Sequence, residues 1–254
     1  MTKKFKHSGA LGDLIYSLPI VKHFGGGEFY LHLNQIDWIG QYYYGGHPSQ
    51  FHQGRMTAQD FDYMKSFMES QDYITKFDVL SPQVEITHNL DRFRVPFVGH
   101  PGNYVDIYSS VFGLTAEQAT HVRTTPWLTA QPVKIPGRTV VVNRTERWCP
   151  PTLSAEWSKW QAAGIEDQAV FVGLPNEYEK FKKDLGWNIP YQETPSMKDL
   201  AEVIAGAEAF IGNQSQCLAL AIGLGKKYAC EYRRDLPIER NECYFPLQPG
   251  GTYF

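Results

Sequence analysis

The sequence predicts an α/β protein of two lobes, each a parallel sheet covered by helices, joined near residue 130. Three observations carry that prediction. Short β-branched runs such as RTVVVN (138–143) alternate with amphipathic segments of helical length through the second half of the chain. The first 34 residues begin with the same strand–helix–strand order. Between them, TTPWLTAQPVKIPG (124–137) carries three prolines and reads as a linker. Residues 1–130 are accordingly assigned to an N-terminal lobe and 131–254 to a C-terminal lobe, with the tail expected to pack back on the first.

In the N-terminal lobe KKFKHSG reads as a strand, residues 11–24 as a helix and GEFYLHLN (27–34) as a second strand. Pro19 falls inside that helix, removes an N–H and predicts a kink or a first-turn irregularity. Residues 35–70 are less regular, and in them QYYYGGH (41–47) offers rings either to stack on a sugar or base or simply to pack. AQDFDYMKSFMESQ reads as a helix and VEITHNL (84–90) as a strand.

In the C-terminal lobe SAEWSKWQAAG is a helix capped by Ser154 and stopped by Gly164. QAVFVGL (168–174) is a strand. NEYEKFKKDLG follows as a helix with Asn176 at its cap, a Tyr178/Phe181/Leu185 face, a Glu179–Lys183 pair and Gly186 at its end. PSMKDLAEVIAGAEA carries a capping box at Ser196 and Asp199 before a Leu200/Val203/Ile204/Ala207 stripe. FIGN (210–213), the apolar helix SQCLALAIGLG and the strand KKYACEY (226–232) complete the alternation.

Composition is that of a soluble globular protein, with 43% hydrophobic and 20% charged residues. A net charge of −3 argues against a protein that is basic all over and leaves room for a local basic groove. No apolar run approaches the roughly 20 residues of a membrane span. MTKKFKHSG lacks a following apolar region, so no signal peptide is expected and the chain reads as cytoplasmic. Cys149, Cys217, Cys230 and Cys243 form no C-x-x-C pair and no zinc spacing, so free thiols are expected rather than a metal site or disulfides.

In open parallel sheets ligands bind beyond the carboxyl ends of strands, where helix N-termini offer N–H groups. Four junctions fit: HSGALGD in the first lobe, and NRTERW, GLPNE and GNQSQ facing it from the second. Asp13 either caps its helix or presents a carboxylate for chemistry. After Asn143, Arg144 and Arg147 flank Thr145 and are either phosphate forks or solvated charges. Gly173 and Leu174 lead to Glu177, which either accepts ribose hydroxyls or favours a first helical turn. Asn213, Gln214, Ser215 and Gln216 either hold a phosphate, with Gly212 admitting it close to the backbone, or cap a helix. No G-x-G-x-x-G, P-loop or G-x-S-x-G is present, which counts against dehydrogenases, P-loop enzymes and α/β-hydrolases.

Two of these junctions together resemble a known family. SGALGDLIYSLPIVKHF resembles the N-terminal motif of the ADP-heptose:lipopolysaccharide heptosyltransferases of glycosyltransferase family 9, an S-x-L-G-D turn before a proline-bearing helix. FIGNQSQCLALAIGLGKK resembles their C-terminal motif, roughly G-N-D-S-G-x-x-H-L-A-A-A-L-G-K. VVVNRTERW stands where the family has a strand and a basic donor-contacting loop, and PSMKDLAEVIAGAEAFIGN matches the helix and strand before the last motif. The matches cover most of residues 138–230 and the first 24.

The resemblance implies a GT-B fold, two Rossmann-like lobes with parallel sheets facing a central cleft, and a metal-independent inverting glycosyltransferase. The transferred group would be a hexose, pentose or heptose, with a nucleotide-sugar as donor substrate and no cofactor. Asp13 is then the general base. Asn143, Arg144, Thr145, Arg147, Gly173, Leu174, Glu177, Asn213, Gln214, Ser215 and Gln216 are implied donor contacts, and Ser8, Gly9 and Gly12 donor or acceptor contacts. Gln214, Gln216 and Ala219 replace the motif's Asp, Gly and His, so the donor is not fixed as ADP-heptose. The short first lobe points away from a lipopolysaccharide acceptor and toward another glycan or a hydroxymethylated DNA base of phage type. Lys3, Lys4, Lys6, Arg55, Arg92, Arg94 and Arg123 would supply either a phosphate-tracking groove or solvated surface. Two readings compete: a non-catalytic nucleotide-sugar-binding module, and a sugar-nucleotide epimerase or hydrolase of GT-B-like fold. The sequence specifies no oligomeric state.

Overall fold

The computed structural model describes residues 2–34, 56–94, 103–146, 148–235 and 250–254. The chain folds as two compact units, Met1–Trp127 and Leu128–Phe254.

The first unit runs β1 (Lys4–His7), α1 (Leu11–His23), β2 (Gly27–Leu31), α2 (Ala58–Glu69), β3 (Ile74–Val79) and β4 (His88–Asn89). A 3₁₀ turn (Leu90–Arg94), α3 (Tyr104–Val111) and α4 (Ala116–Thr124) follow. All four strands are parallel, in the order β3-β2-β1-β4. Central β1 therefore has neighbours on both sides, and Phe5 is fully buried. The strand anticipated over 84–90 shortens to His88–Asn89, because the Asn89 side chain accepts the Asp91 N–H (3.1 Å) and turns the chain into the 3₁₀ segment.

Pro19 does not break α1, which runs without interruption from Leu11 to His23. A proline at this position leaves the carbonyl four residues earlier without its helical donor. That carbonyl, on Ile15, instead accepts the buried indole N–H of Trp127 at 3.2 Å. The Tyr73 hydroxyl donates to the Trp127 carbonyl (2.9 Å), and Lys22 Nζ to that of Pro126 (3.2 Å).

His7 and Tyr108 form a buried polar pair, with His7 Nε2 2.9 Å from the Tyr108 hydroxyl. The hydroxyl in turn donates to the Asp13 carbonyl at 3.2 Å, which assigns the histidine proton to Nε2. Burial holds His7 well below the ordinary histidine value, and Arg94 and Lys6 add to the effect.

The second unit runs β5 (Val140–Asn143), α5 (Ala155–Ala162), β6 (Ala169–Phe171), α6 (Pro175–Leu185) and α7 (Met197–Gly206). It ends with β7 (Ala209–Asn213), α8 (Gln216–Gly223), β8 (Lys227–Glu231) and β9 (Gly251–Tyr253). Its strands are all parallel, in the order β6-β5-β7-β8-β9. Helices bury both faces of such a sheet, which explains the unbroken apolar run in β5. On one face Val140, Val142, Phe171 and Ile211 meet Trp157, Phe181, Trp187 and Phe254. The Trp157 ring packs edge-on against four aromatic neighbours: Trp160, Phe181, Trp187 and Phe254.

Local signals place the helices. Ser154 and Ser215 cap α5 and α8, and Ser196 with Asp199 closes the capping box of α7. α6 starts earlier than its anticipated cap at Asn176: Pro175 occupies the first helical position and Leu174 the cap. Glu179 pairs with Lys182 (3.3 Å) rather than Lys183. In the described residues the tail's Gly251–Tyr253 is an edge strand beside β8. The proline-rich connection is also anchored: Leu128 N–H donates to the Gly223 carbonyl (3.0 Å) and Val133 N–H to that of Glu202 (2.9 Å). Among the described residues no helix is long and apolar enough to cross a membrane.

Two predictions follow from these buried polar groups. Trp127→Phe keeps a ring but strips the Ile15 carbonyl of its donor, and should cost about 1–3 kcal/mol in urea unfolding; an unchanged midpoint would show the bond to be dispensable. His7 stays neutral in the folded protein while the unfolded chain takes up a proton near pH 6.5. The unfolded state therefore binds more protons, and stability should fall as pH drops below that value, by up to about 1.4 kcal/mol per pH unit. Asp91 and Glu177, raised by burial, contribute with the opposite sign at lower pH in any variant that keeps them. His7→Gln, which can still donate to Tyr108, should flatten the slope between about pH 6.5 and 5. Parallel curves for the two proteins would clear His7 of the effect.

Candidate functional site

In each sheet the strand order reverses once, and that reversal leaves a crevice beyond the strand ends. In the first unit it lies between β1 and β4, so the turns after these two strands face each other. Ser8 and Gly9 leave β1, Ala10 takes the cap position of α1 without a side-chain bond, and Asp13 sits in the first turn. Asp13 is therefore not the helix cap, although its charge suits the positive end of the helix. About a quarter of its side chain is exposed (25%).

Opposite stand Asp91 and Arg94 of the 3₁₀ turn, both buried. Asp91 Oδ1 accepts the Ser8 N–H (3.0 Å), and its Oδ2 lies 3.5 Å from Lys6 Nζ. Arg94 donates through Nη1 to Asp91 and through Nη2 to the Ser8 carbonyl, and the same Nη2 stands 3.9 Å from Asp13 Oδ2. Burial raises the Asp91 carboxyl, with Arg94, the Ser8 amide and Lys6 opposing that rise. Gly12 lies one residue before Asp13, where a Cβ would meet nothing within 4 Å.

In the second unit the reversal lies between β5 and β7. Asn213 ends β7 and holds the turn after β5: its Oδ1 accepts the Thr145 N–H (2.9 Å) and its Nδ2 donates to the Thr145 carbonyl (2.7 Å). Gln214 is buried beside it, and Ser215 caps α8 by accepting the Leu218 N–H at 3.3 Å. Gln216 opens α8. Asn143 Nδ2 donates to the Val172 carbonyl (2.9 Å), while its Oδ1 is buried with no hydrogen-bond partner among the described residues. Gly173 lies against the Asn143 and Glu177 side chains, and Leu174 N–H donates to Glu177 Oε2 at 3.0 Å. Burial raises the Glu177 carboxyl; the Leu174 amide and Asn143 oppose it.

Several anticipated roles change. Arg144 is not a presented phosphate fork: it is turned into the core, with Nε on Glu231 (2.6 Å) and Nη1 on Asp184 (3.1 Å). Glu231 also takes the Trp157 indole N–H at 2.9 Å. Gly212 serves the sheet rather than a ligand, since a Cβ there would stand 2.1 Å from the Asn143 carbonyl oxygen. Arg147, Arg55, Cys243 and the loop 41–47 lie outside the described residues. Of the basic residues of the first unit, Lys3, Lys6, Arg94 and Arg123 are engaged with protein acceptors. Cys149, Cys217 and Cys230 are free thiols, and burial pushes that of Cys149 up to about 11. The chain's one D-x-D, Asp60-Phe61-Asp62, lies on α2, where Asp60 closes a capping box with Thr57.

Asp91, Arg94 and Tyr108 are the residues that sequence reading missed as a set. They lie about 80 to 100 positions from the β1 turn, and no local motif links them to it.

No protein-family model matches the chain, and no curated protein matches it in sequence. Solved structures do match it in fold. A family-9 glycosyltransferase from Veillonella parvula aligns over 99% of this chain and 84% of its own, with a TM-score of 0.60 at 12% identity. The E. coli heptosyltransferase WaaC, solved with ADP, aligns over 100% of this chain and 93% of its own, with a TM-score of 0.52 at 13% identity. The iron-containing dodecameric glycosyltransferase TibC of enterotoxigenic E. coli covers 98% of this chain and 62% of its own, with a TM-score of 0.55 at 13% identity. Built on two parallel sheets whose turns carry the clusters above, the chain has the fold of these GT-B-like glycosyltransferases.

Proposed function

We propose that this chain is a cytoplasmic, metal-independent inverting glycosyltransferase that moves a sugar from a nucleotide-sugar to an acceptor hydroxyl. The observation that carries the reading is Asp13, a partly exposed carboxylate at the crevice of its sheet with open space over neighbouring Gly12. In the proposed reaction the acceptor oxygen attacks the anomeric carbon as its proton passes to the Asp13 carboxylate. The bond from that carbon to the diphosphate oxygen breaks, and its electron pair leaves on the nucleoside diphosphate.

The donor belongs, on this reading, at the β5/β7 crevice. The first N–H groups of α8, around Ser215 and Gln216, meet the charge developing on the diphosphate. Gln214 and Gln216 are neutral amides, so no carboxylate opposes a phosphate at those positions. Glu177 accepts ribose hydroxyls, and Asn143 Oδ1 is a buried acceptor without a protein donor among the described residues. Thr145, Gly173 and Leu174 shape the walls. A glycan hydroxyl is the favoured acceptor, because Lys3, Lys6, Arg94 and Arg123 already have protein acceptors.

A thermal-shift panel of ADP-heptose, ADP-glucose, UDP-glucose and GDP-mannose tests the donor site, since a ligand binding the native state raises its melting temperature. At least one donor should stabilise the protein. Asp13→Asn should then lower turnover at least about 100-fold while leaving donor affinity within about twofold, and EDTA should change neither. Full turnover in Asp13→Asn would remove it as the base. Donor binding with no turnover by the wild type against any acceptor would favour a binding module, and turnover that ignores acceptors would favour a hydrolase or epimerase. A hydroxymethylated DNA acceptor requires binding to such DNA that weakens steeply with salt.

A further inference from the structure

Asp13 is the outermost member of a chain of buried charges whose inner members take no part in the reaction as drawn. Arg94 lies between two carboxylates with only 6% of its side chain exposed. Asp91 bonds its Nη1, the Ser8 carbonyl takes its Nη2, and Asp91 is in turn held by the Ser8 N–H and by Lys6. The guanidinium is thus fixed from behind before it reaches Asp13, 3.9 Å away at an ion-pair rather than a hydrogen-bond separation. Gly9 makes the approach possible. Its φ is +133°, and a Cβ there would stand 2.2 Å from Arg94 Nη2. From the other side, the Asp13 carbonyl is held by Tyr108, itself held by His7.

We propose that Arg94, clamped by Asp91, is a positioning residue that orients the Asp13 carboxylate. The Tyr108 hydroxyl, donating to the Asp13 backbone carbonyl, fixes where Asp13 sits; the Arg94 guanidinium selects the rotamer that its carboxylate adopts. The consequence for turnover rests on the reading of Asp13 as the base, whereas the effect on its orientation does not.

Two measurements test this. Crystal structures of the wild type and Arg94→Met should show the Asp13 carboxylate in one orientation in the first and displaced or split in the second. Turnover of the panel donor giving the largest thermal shift, followed as release of its nucleoside diphosphate, should fall about 10- to 100-fold in kcat in Arg94→Met, with donor KM within about twofold. Arg94→Lys keeps the charge without the fork and should recover part of the loss, and Asp91→Asn should follow Arg94→Met. In an Asp13→Asn background Arg94→Met should cause no further loss, because residues acting through one another are not additive. An undisturbed Asp13 with full kcat in Arg94→Met would overturn the proposal, as would an equal further loss in the Asp13→Asn background. If Asp13→Asn proves fully active, the base reading fails and the orientation of Asp13 in Arg94→Met alone decides the positioning claim. Should Arg94→Met not fold, Arg94→Lys and Asp91→Asn carry both measurements.

Discussion

A parallel strand cannot be joined to its neighbour by a hairpin, and the rest of this structure depends on that constraint. Each strand end must be followed by a crossover, so all the strand-to-helix turns of a sheet collect along one edge. Both sheets here also reverse their strand order once, and two of those turns then diverge around a gap. The chain thereby sets Asp13 opposite Arg94 in one unit, and Thr145 beside Asn213 and Gln214 in the other. Residues more than 60 positions apart meet without any special sequence device.

The two crevices share a second feature. Behind each stands a buried arginine held by carboxylates: Arg94 by Asp91, and Arg144 by Glu231 and Asp184. Removing one partner of such a pair strands a charge inside the protein, which typically costs about 3–5 kcal/mol. The turns are therefore backed by groups that resist displacement. Each guanidinium pairs its charge with carboxylates of its own unit.

What could be read from the sequence was what is decided locally. The apolar run of β5 announces a strand buried on both faces, and Ser154, Ser196 with Asp199, and Ser215 announce helix starts within three residues. Pro175 carried a comparable signal for the start of α6, since a proline favours the first helical position; Asn176 was a weaker guide. The first unit was harder to read. β4 is two residues long and stops at a side-chain turn, β3 does not alternate cleanly, and α3 and α4 are only eight and nine residues long. Direction was harder still. An arginine after a strand looks the same in sequence whether it points outward or, like Arg144, toward partners 40 and 87 positions away.

Pro19 ties the first unit to its own exit. By withholding one N–H it makes the Ile15 carbonyl the seat for Trp127, the last residue of that unit. Ile15 and Asp13 are two positions apart on the same helix, about 3 Å along its axis. The carboxylate and the point where the polypeptide departs are thus measured from one datum. A shift in the register of α1 would displace both the carboxylate and the seat of Trp127, so the helix serves as a common ruler for the two.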